Sequence, residues 1–243
     1  ATGFKGGGIT PRPSIPQQVH GFGPEELKAY ESGFKTRFFQ KLQANGALFY
    51  NDYLGYQGMA NQCVDDNGVI LPAPFAEPCG QYLNVADAEV TGAELELEFY
   101  PVDGLLIDAA YSYLDFEFGA PYIQTGSVIE GRSAPGLGKN KWSVGAQYQF
   151  GFTSGATLVP RIDVTHTPGY CGDLNCTALA RVDEYDLVNA RLTYRTPGKD
   201  WNVALEVTNL TDELYALNKF NTVYASDQPG LPRQWALSVR RNF

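Results

Sequence analysis

The feature that most limits the fold of this chain is the strict alternation of its closing segment, residues 233–243. Trp235, Leu237, Val239 and Phe243 share one parity, and mostly polar side chains occupy the other. Because a β-strand sends successive side chains to opposite faces, the pattern predicts a strand with one apolar face and one polar face. Earlier segments are then expected to pair with this strand, directly or through neighbours.

The same alternation recurs along nearly the whole sequence and predicts an all-β, antiparallel protein with about ten strands. Phe49 is the clearest exception, because it falls on the polar parity of its segment. The chain has no run of about 18 apolar residues, so no transmembrane helix is predicted. Besides the closing segment, the predicted strands lie at 1–9, 25–38, 42–54, 90–100, 105–113, 141–150, 156–164, 185–195 and 201–208.

The connections between these segments alternate in length. Short turns on one side and long loops on the other are typical of a transmembrane β-barrel, in which the turns are periplasmic and the loops extracellular. A soluble β-sandwich is the alternative, but it would not require this asymmetry. The short connections lie at 39–41, 101–104, 151–155 and 196–200, and the long ones at 6–24, 55–85, 117–139, 166–181 and 218–231.

The two parities also indicate which face meets lipid. The apolar sets end in aromatic residues, as in the girdles of a lipid-facing barrel surface. The opposite sets carry too many charged and amide side chains for a dry core and are expected to line a wet or plugged lumen. Glu94, Glu96 and Glu98 form an acidic row there, interpreted as a hydrated wall facing arginines or a plug, with ligand steering as the alternative.

Four cysteines form two local pairs, Cys63 with Cys79 and Cys171 with Cys176, in segments rich in Gly, Pro, Asn and Asp. Local pairs in loops fit disulfides in an oxidising compartment. Neither spacing matches a zinc site, and no histidine accompanies either pair. The long-loop position of both pairs predicts that they lie outside the cell.

Charge and composition exclude several functions. The net charge is -9, which disfavours a nucleic-acid partner. The chain has only two histidines, and His166 lies at a loop entrance, so a barrel hydrolase is a remote alternative and no enzyme is predicted. No phosphate-binding loop or calcium loop is present, so no cofactor or metal site is expected.

Ligand contacts are expected in the long loops, because binding residues concentrate on loops held by a rigid scaffold. Aromatic side chains in these loops are the candidates, although ordinary loop packing explains each of them equally well. The candidate ligand contacts are Tyr56, Tyr82, Tyr122, Tyr170 and Tyr224.

Five stretches resemble the C-terminal half of TonB-dependent outer-membrane receptors. They are similar to that family in the family's own order, and the resemblance extends over almost the entire chain. The stretches are 1–8 (ATGFKGGG), 26–35 (ELKAYESGFK), 47–53 (ALFYNDY), 207–215 (VTNLTDELY) and 232–243 (PRQWALSVRRNF).

The resemblance implies a receptor in the outer membrane of a Gram-negative bacterium that takes up a scarce ligand, such as an iron–siderophore complex, through the TonB system. Residues 1–243 would be the C-terminal part of a 22-stranded barrel, with the N-terminal plug domain absent from this sequence. The resemblance also implies that the terminal Phe243 is a signal for the outer-membrane assembly machinery. A self-closed small barrel, acting as a passive pore or adhesin in outer-membrane lipid, is the alternative.

Overall fold

The computed structural model describes residues 1–11, 13, 15–60, 63–65, 69, 71, 80–122, 131–174, 176–221 and 224–242. Apart from three single-turn 3-10 helices at Pro16–Gln18, Ala178–Ala180 and Pro197–Lys199, the regular structure of these residues is β. The strands are β1 (Thr2–Lys5), β2 (Gly8–Ile9), β3 (Gly21–Phe22), β4 (Glu25–Phe38), β5 (Leu42–Ala60), β6 (Gln81–Phe99), β7 (Leu105–Pro121), β8 (Asn140–Tyr148), β9 (Phe150–Gly151), β10 (Thr157–Thr167), β11 (Tyr170–Cys171), β12 (Arg181–Val182), β13 (Tyr185–Arg195), β14 (Trp201–Thr208), β15 (Ala216–Asn221), β16 (Ala225–Pro229) and β17 (Gln234–Arg241).

One antiparallel sheet dominates the structure, and its strands follow one another in the order β1-β4-β5-β6-β7-β8-β10-β13-β14-β17. Strand β9 also pairs with β10 and continues β8 beyond Gln149, whose amide donates to the Gly104 carbonyl at 2.8 Å. The predicted all-β antiparallel architecture of about ten strands is therefore confirmed. Within the described residues β1 pairs only with β4 and β17 only with β14, so the sheet is open and not closed into a barrel.

The pairing register places the apolar parities of neighbouring strands on one side of the sheet. One row runs from Leu97 through Ala109, Val144 and Val164 to Val188. The side that carries this row is named the apolar face, and the opposite side the polar face. Large residues of the apolar face remain exposed, with 42% of Val144 and 70% of Leu237 accessible. A continuous apolar surface of this kind requires a lipid or a partner to cover it.

The connections alternate between the two ends of the sheet, as the sequence predicts. One end, named the turn end, carries the short connections 39–41, 100–104, 152–156 and 196–200. The other end, named the loop end, carries the long connections 6–24, 61–80, 122–139, 168–184 and 209–233, which contain the small pairs β2–β3, β11–β12 and β15–β16. No helix among the described residues is long and apolar enough to cross a membrane.

Three strands extend farther toward the loop end than predicted: β5 and β6 have 19 residues each and β7 has 17. In β5 the register shifts between Tyr53 and Tyr56, and Gly55 between them has a φ of 67°. The sequence-based strands ended where apolar residues left their parity. The backbone pairing continues beyond that point, because hydrogen bonding does not depend on which parity is apolar.

Candidate ligand-binding surface at the loop end

The polar face changes character toward the loop end. Near the turn end it carries Glu94, Glu96 and Glu98 on β6, whereas farther along the same parity of β6 it carries Val90 and Ala88. Together with residues of β7 they form a buried group, named the loop-end cluster, each of whose members is at most 7% exposed. Its members are Ala86, Ala88, Val90, Phe116 and Phe118.

Edge-to-face ring packing organises the loop-end cluster. The Tyr56 ring centroid lies 5.7 Å from that of Phe116 and 5.4 Å from that of Phe118, and the two phenylalanine rings are 4.8 Å apart. These separations are in the range in which aromatic pairs attract beyond simple area burial. Phe49 also packs against the cluster and covers Gly92, where a Cβ would overlap its ring. The residue that broke the alternation is therefore part of this apolar surface.

The apolar face shows the opposite change at the same level. Asp52, Glu89 and Glu117 are direct cross-strand partners there, and Lys28 extends the row on β4. Just before β8, the Lys139 ammonium lies 2.7 Å from the Asp115 carboxylate of β7, and this hydrogen-bonded contact raises the pKa of Lys139. Strands β5, β6 and β7 thus exchange the polarity of their two faces between the turn end and the loop end.

Two long loops cover the loop-end cluster. Ala134 of the 122–139 loop and Leu174 of the 168–184 loop pack against it. The Arg132 guanidinium donates to the Leu174 carbonyl at 3.1 Å, and the Gly136 amide donates to the Cys171 carbonyl at 2.8 Å. The cluster is therefore closed by segments that are tied to each other.

The 209–233 connection joins the same assembly. The Asn221 side chain donates to the Thr177 hydroxyl at 3.1 Å, and the Lys219 ammonium lies 3.7 Å from the Asp183 carboxylate. The Tyr170 hydroxyl donates to the Leu217 carbonyl. Three of the five long connections therefore form one packed unit around the short loop between Cys171 and Cys176.

The 6–24 connection is held on the sheet by the amide side chains of Gln57 and Asn84. The Gln57 side chain, 6% exposed, donates to the carbonyls of Gly6 and Gly23, both at 3.0 Å. The Asn84 side chain accepts from the Gly23 amide at 2.6 Å and donates to the Gly55 carbonyl at 2.6 Å. Amides suit this task because they donate and accept at once. These bonds fix the 6–24 connection over β5 and β6.

The predicted disulfide is confirmed for one of the two cysteine pairs. Cys171 and Cys176 are joined in a disulfide that closes a short loop at the loop end. Cys63 is also disulfide-bonded and fully buried, whereas Cys79 lies outside the described residues. Phe243, the predicted assembly signal, lies outside them as well.

The five candidate tyrosines are all at the loop end, but they do not converge on one point. Tyr56 is part of the cluster packing, and the Tyr122 hydroxyl contacts Asp87 and accepts from the Gly55 amide at 3.2 Å. Burial, followed by the Asp87 contact, raises the pKa of Tyr122. The Tyr82 ring centroid lies 6.2 Å from that of Phe22, and Tyr170 belongs to the packed unit of long connections. Tyr224 is 81% exposed. Their roles as ligand contacts stay predictions.

A cavity of about 660 Å³ beside the disulfide brings together residues that the sequence alone did not single out. Arg181, Asp183 and Glu184 line it next to Tyr170. A guanidinium, two carboxylates and a phenol can recognise a polar ligand by directional hydrogen bonds. Sequence reasoning missed them because the β11–β12 pair that positions them consists of two residues on each side, too short for a periodic signal.

Near the turn end, the polar face is a network of charges. The Arg161 guanidinium donates to both carboxylate oxygens of Asp108, at 2.8 and 3.0 Å, and to Asp163. Gly145 leaves room for this triad, since a Cβ there would overlap all three side chains. In the acidic row, Glu96 accepts from Asn45 at 3.2 Å, so its partner is an amide and not one of the expected arginines.

His166, considered for catalysis, lies on the apolar face. Its ring stacks on Trp142 with 5.4 Å between centroids, and its Nδ1 lies 2.8 Å from the Asp186 carboxylate. Trp142 and Asp186 are also its cross-strand partners. The described residues contain no group of three or more His, Cys, Asp or Glu side chains arranged to hold a metal ion.

Comparison with protein-family models gives one match. The model for the TonB dependent receptor-like β-barrel matches residues 1–210, which is most of the chain.

Solved structures with the same fold are receptors and transporters. The ferric yersiniabactin uptake receptor FyuA from Yersinia pestis is 19% identical with a TM-score of 0.78, covering 100% of this chain and 34% of that one. The siderophore receptor PiuA from Acinetobacter baumannii is 22% identical with a TM-score of 0.66, covering 92% and 29%. The copper transporter OprC is 16% identical with a TM-score of 0.68, covering 91% and 32%. The chain therefore spans about a third of the length of these structures.

Proposed function

This chain belongs to the TonB-dependent receptor-like β-barrel family, and on that premise we propose that residues 1–243 form the C-terminal part of the barrel wall of an outer-membrane uptake receptor. The receptor binds a scarce ligand such as an iron–siderophore complex at the loop end and imports it with energy from the TonB system. The plug domain would be supplied by sequence outside these residues. Members of the family are receptors and transporters of the Gram-negative outer membrane.

The exchange of polarity along β5, β6 and β7 carries this proposal. A transmembrane β-strand needs only about 9–11 residues, and these strands have 17 to 19. Their turn-end halves suit a barrel wall with lipid outside and a wet lumen inside. Their loop-end halves suit a projection into water, because the charges face outward and an apolar core lies inside. Such a projection provides a rigid support for ligand-binding loops.

The ligand contacts are then exposed side chains around the loop-end cluster, while the cluster itself holds the loops in place. Tyr224 is the best placed of the predicted contacts, since 81% of it is accessible. Arg181 and Tyr170 on the cavity beside the disulfide are further contacts. An iron chelate with carboxylate, phenolate or catecholate groups offers partners for such donors.

The self-closed small barrel receives no support from the pairing. Closure within the chain would require β1 to pair with β17, and the described parts of these strands pair with β4 and β14 alone. An open sheet in lipid would leave unpaired backbone groups at both edges. Additional strands from the same receptor satisfy these edges.

Uptake of radioactive iron tests the proposal. A strain lacking the gene that encodes this chain is supplied, under iron limitation, with ferric catecholate, hydroxamate or phenolate siderophores, and copper uptake is measured in parallel. We expect loss of uptake for one chelate class, and the same loss in a strain without TonB. Unchanged uptake of all chelates and of copper would exclude the proposed cargo.

A pair of variants tests the binding surface in the complete receptor. Tyr224→Ala is expected to weaken binding of the transported chelate about tenfold, the effect of losing about 1.4 kcal/mol from one exposed aromatic contact. The control Tyr100→Ala removes a tyrosine exposed at the turn end and is expected to leave the dissociation constant unchanged. Equal affinities for both variants would remove Tyr224 from the site.

A further inference from the structure

The turn between β4 and β5 has an unusual residue choice. The Lys41 amide donates to the Phe38 carbonyl at 3.0 Å and closes a tight turn whose two central residues are Phe39 and Gln40. Their φ angles are 47° and 58°, both in the left-handed region. Turns of this type favour Asn-Gly or Asp-Gly, and a bulky residue at positive φ is a genuine outlier. The backbone is therefore strained at Phe39, whose side chain is bulky for a positive φ.

Phe39 gains no packing in return, because 94% of it is exposed. The next two turns along the sheet present apolar side chains as well: Val102 is 56% exposed and Phe152 is 50% exposed. The first two turns are tied together, since the Lys41 ammonium donates to the Pro101 carbonyl at 3.0 Å and the Tyr100 amide to the Lys41 carbonyl at 2.7 Å. These three residues, Phe39, Val102 and Phe152, are named the turn-tip residues.

The turn-tip residues directly follow the end of the apolar face along the chain. The last apolar-face residues before the turns are Phe38, Phe99 and Phe150, which are 49%, 39% and 47% exposed. Phe38 and Phe99 are both register partners of Leu42, so they lie in one row. The turn-tip residues lie only one to three positions beyond these aromatic residues in the chain.

Basic side chains lie near the aromatic residues at the turn end of the sheet. Lys41 lies in the first turn, and the Arg241 guanidinium lies 5.3 Å from the centre of the Trp201 ring. Trp201 and Arg241 are cross-strand partners on the apolar face at its turn-end limit. Aromatic rings beside lysine and arginine are the combination that anchors proteins at a lipid headgroup layer.

We propose that the three turns carrying the turn-tip residues insert into the boundary between headgroups and acyl chains of the periplasmic leaflet, where phospholipids cover Phe39, Val102 and Phe152. The fourth turn, which carries Gly198 and Lys199 at its tip, stays in water. This inference rests on the membrane location in the proposed function but not on its ligand. The strain at Phe39 is then offset by burial of the ring in lipid instead of by contacts within the chain.

Spin labels on single cysteines test this placement in the complete receptor reconstituted in phospholipid bilayers. The described cysteines are all disulfide-bonded, so an introduced thiol can be labelled selectively. Labels at Phe39→Cys and Phe152→Cys are compared with labels at Lys199→Cys and Leu205→Cys. Collisions with oxygen, which concentrates in lipid, and with a water-soluble nickel complex are measured for each label.

We expect the labels at 39 and 152 to show an oxygen-to-nickel collision ratio about threefold or more above that at 199. A ratio equal to that at 199 would place these turns in water and overturn the proposal. Low collision rates with both reagents would indicate a periplasmic protein as the occupant and would also overturn it. The label at 205 lies on the apolar face and serves as the control for the membrane location. If it collides often with oxygen, the sheet is in lipid, and a negative result at 39 and 152 then concerns the turns alone.

Phe39→Trp provides a second measurement that keeps an aromatic ring in the turn. Phospholipids brominated near the headgroup are expected to quench the added fluorescence about twofold more than lipids brominated at the acyl-chain end. Fluorescence that neither lipid quenches would contradict the insertion of this turn.

Discussion

The turn-end and loop-end halves of β5, β6 and β7 differ in where they keep their apolar side chains. In the turn-end half, leucines, Ile107 and aromatics lie on the apolar face, and Glu94, Glu96 and Asp108 lie on the opposite side. In the loop-end half, Phe116 and Phe118 are buried on the polar-face side, and Asp52, Glu89 and Glu117 lie on the other. The same strands therefore follow two patterns, which in the proposed receptor correspond to lipid outside and to water outside.

The backbone pairing of β5, β6 and β7 continues unbroken in type from one half to the other, so in the proposed receptor a strand keeps its antiparallel hydrogen bonding where it leaves the membrane. What changes is which of the two alternating sets of side chains is apolar, because the surroundings of the outer face change while the pleat of the strand does not. The loop-end half behaves like a small water-soluble domain with a core, and the turn-end half like a wall between lipid and a wet interior. Substitutions in the two halves should therefore respond to different physical forces.

The largest effect is expected for Phe116→Ala, which empties the centre of the loop-end cluster. Removing a buried phenylalanine should lower the free energy of unfolding of this region by about 3–5 kcal/mol. Hydrogen exchange of the β6 and β7 amides in bilayers would measure it, with loss of protection confined to the loop-end half. The control Phe34→Ala removes a ring that is 56% exposed on the apolar face, and equal losses in both variants would contradict the presence of a core.

Leu237→Arg tests the lipid-facing half. An arginine near the middle of the apolar face of β17 should lower the stability in bilayers by about 2–4 kcal/mol. The neighbouring variant Ser238→Arg places the same charge on the polar face and should cost far less, because that side chain can reach water. Denaturant unfolding of the reconstituted receptor would measure both, and similar losses would mean that the two faces share one environment.

The paired substitution Cys171→Ser with Cys176→Ser should affect the loop end alone. Releasing the short disulfide loop should destabilise the packed unit of long loops by about 2 kcal/mol, through the added freedom of the opened chain. Protease cleavage within residues 168–184 on intact cells should become faster. Reduction of the wild-type disulfide should reproduce this effect, and a matching loss of stability in the spanning sheet would argue against separate halves.

The smallest difference in stability between the two halves is expected for substitutions of two glycines, which lie under phenylalanine rings on opposite faces of the sheet. Gly92 lies under Phe49 in the loop-end half, and Gly46 under Phe34 on the apolar face. Gly92→Ala should cost about 1–3 kcal/mol, because the Phe49 ring is held by the cluster. Gly46→Ala should cost less, since Phe34 can swing into lipid. Unfolding in bilayers measures both, and a larger cost for Gly46→Ala would reverse the assignment of the packed half.

Much of the wall could be predicted because alternation is a local signal. The pattern placed ten strands in order, separated turns from loops, and assigned Leu192 and Arg191 to opposite faces, as the register confirms. It ended β5 near residue 54, because it required apolar residues to keep one parity. Phe49 was an anomaly in sequence and is explained by Gly92, which lies opposite it in the register but 43 positions away in the chain.

The sequence alone determined the all-β architecture, the alternation of short and long connections and the apolar face, because each depends on residues two positions apart. Tertiary structure decided the rest. Only the register brought Arg161 to Asp108 across Gly145, and only the packing of separate loops placed Leu174 against the loop-end cluster. Contacts between distant segments leave no period in the sequence, so the loop-end surface on which ligand recognition depends could not be predicted from alternation.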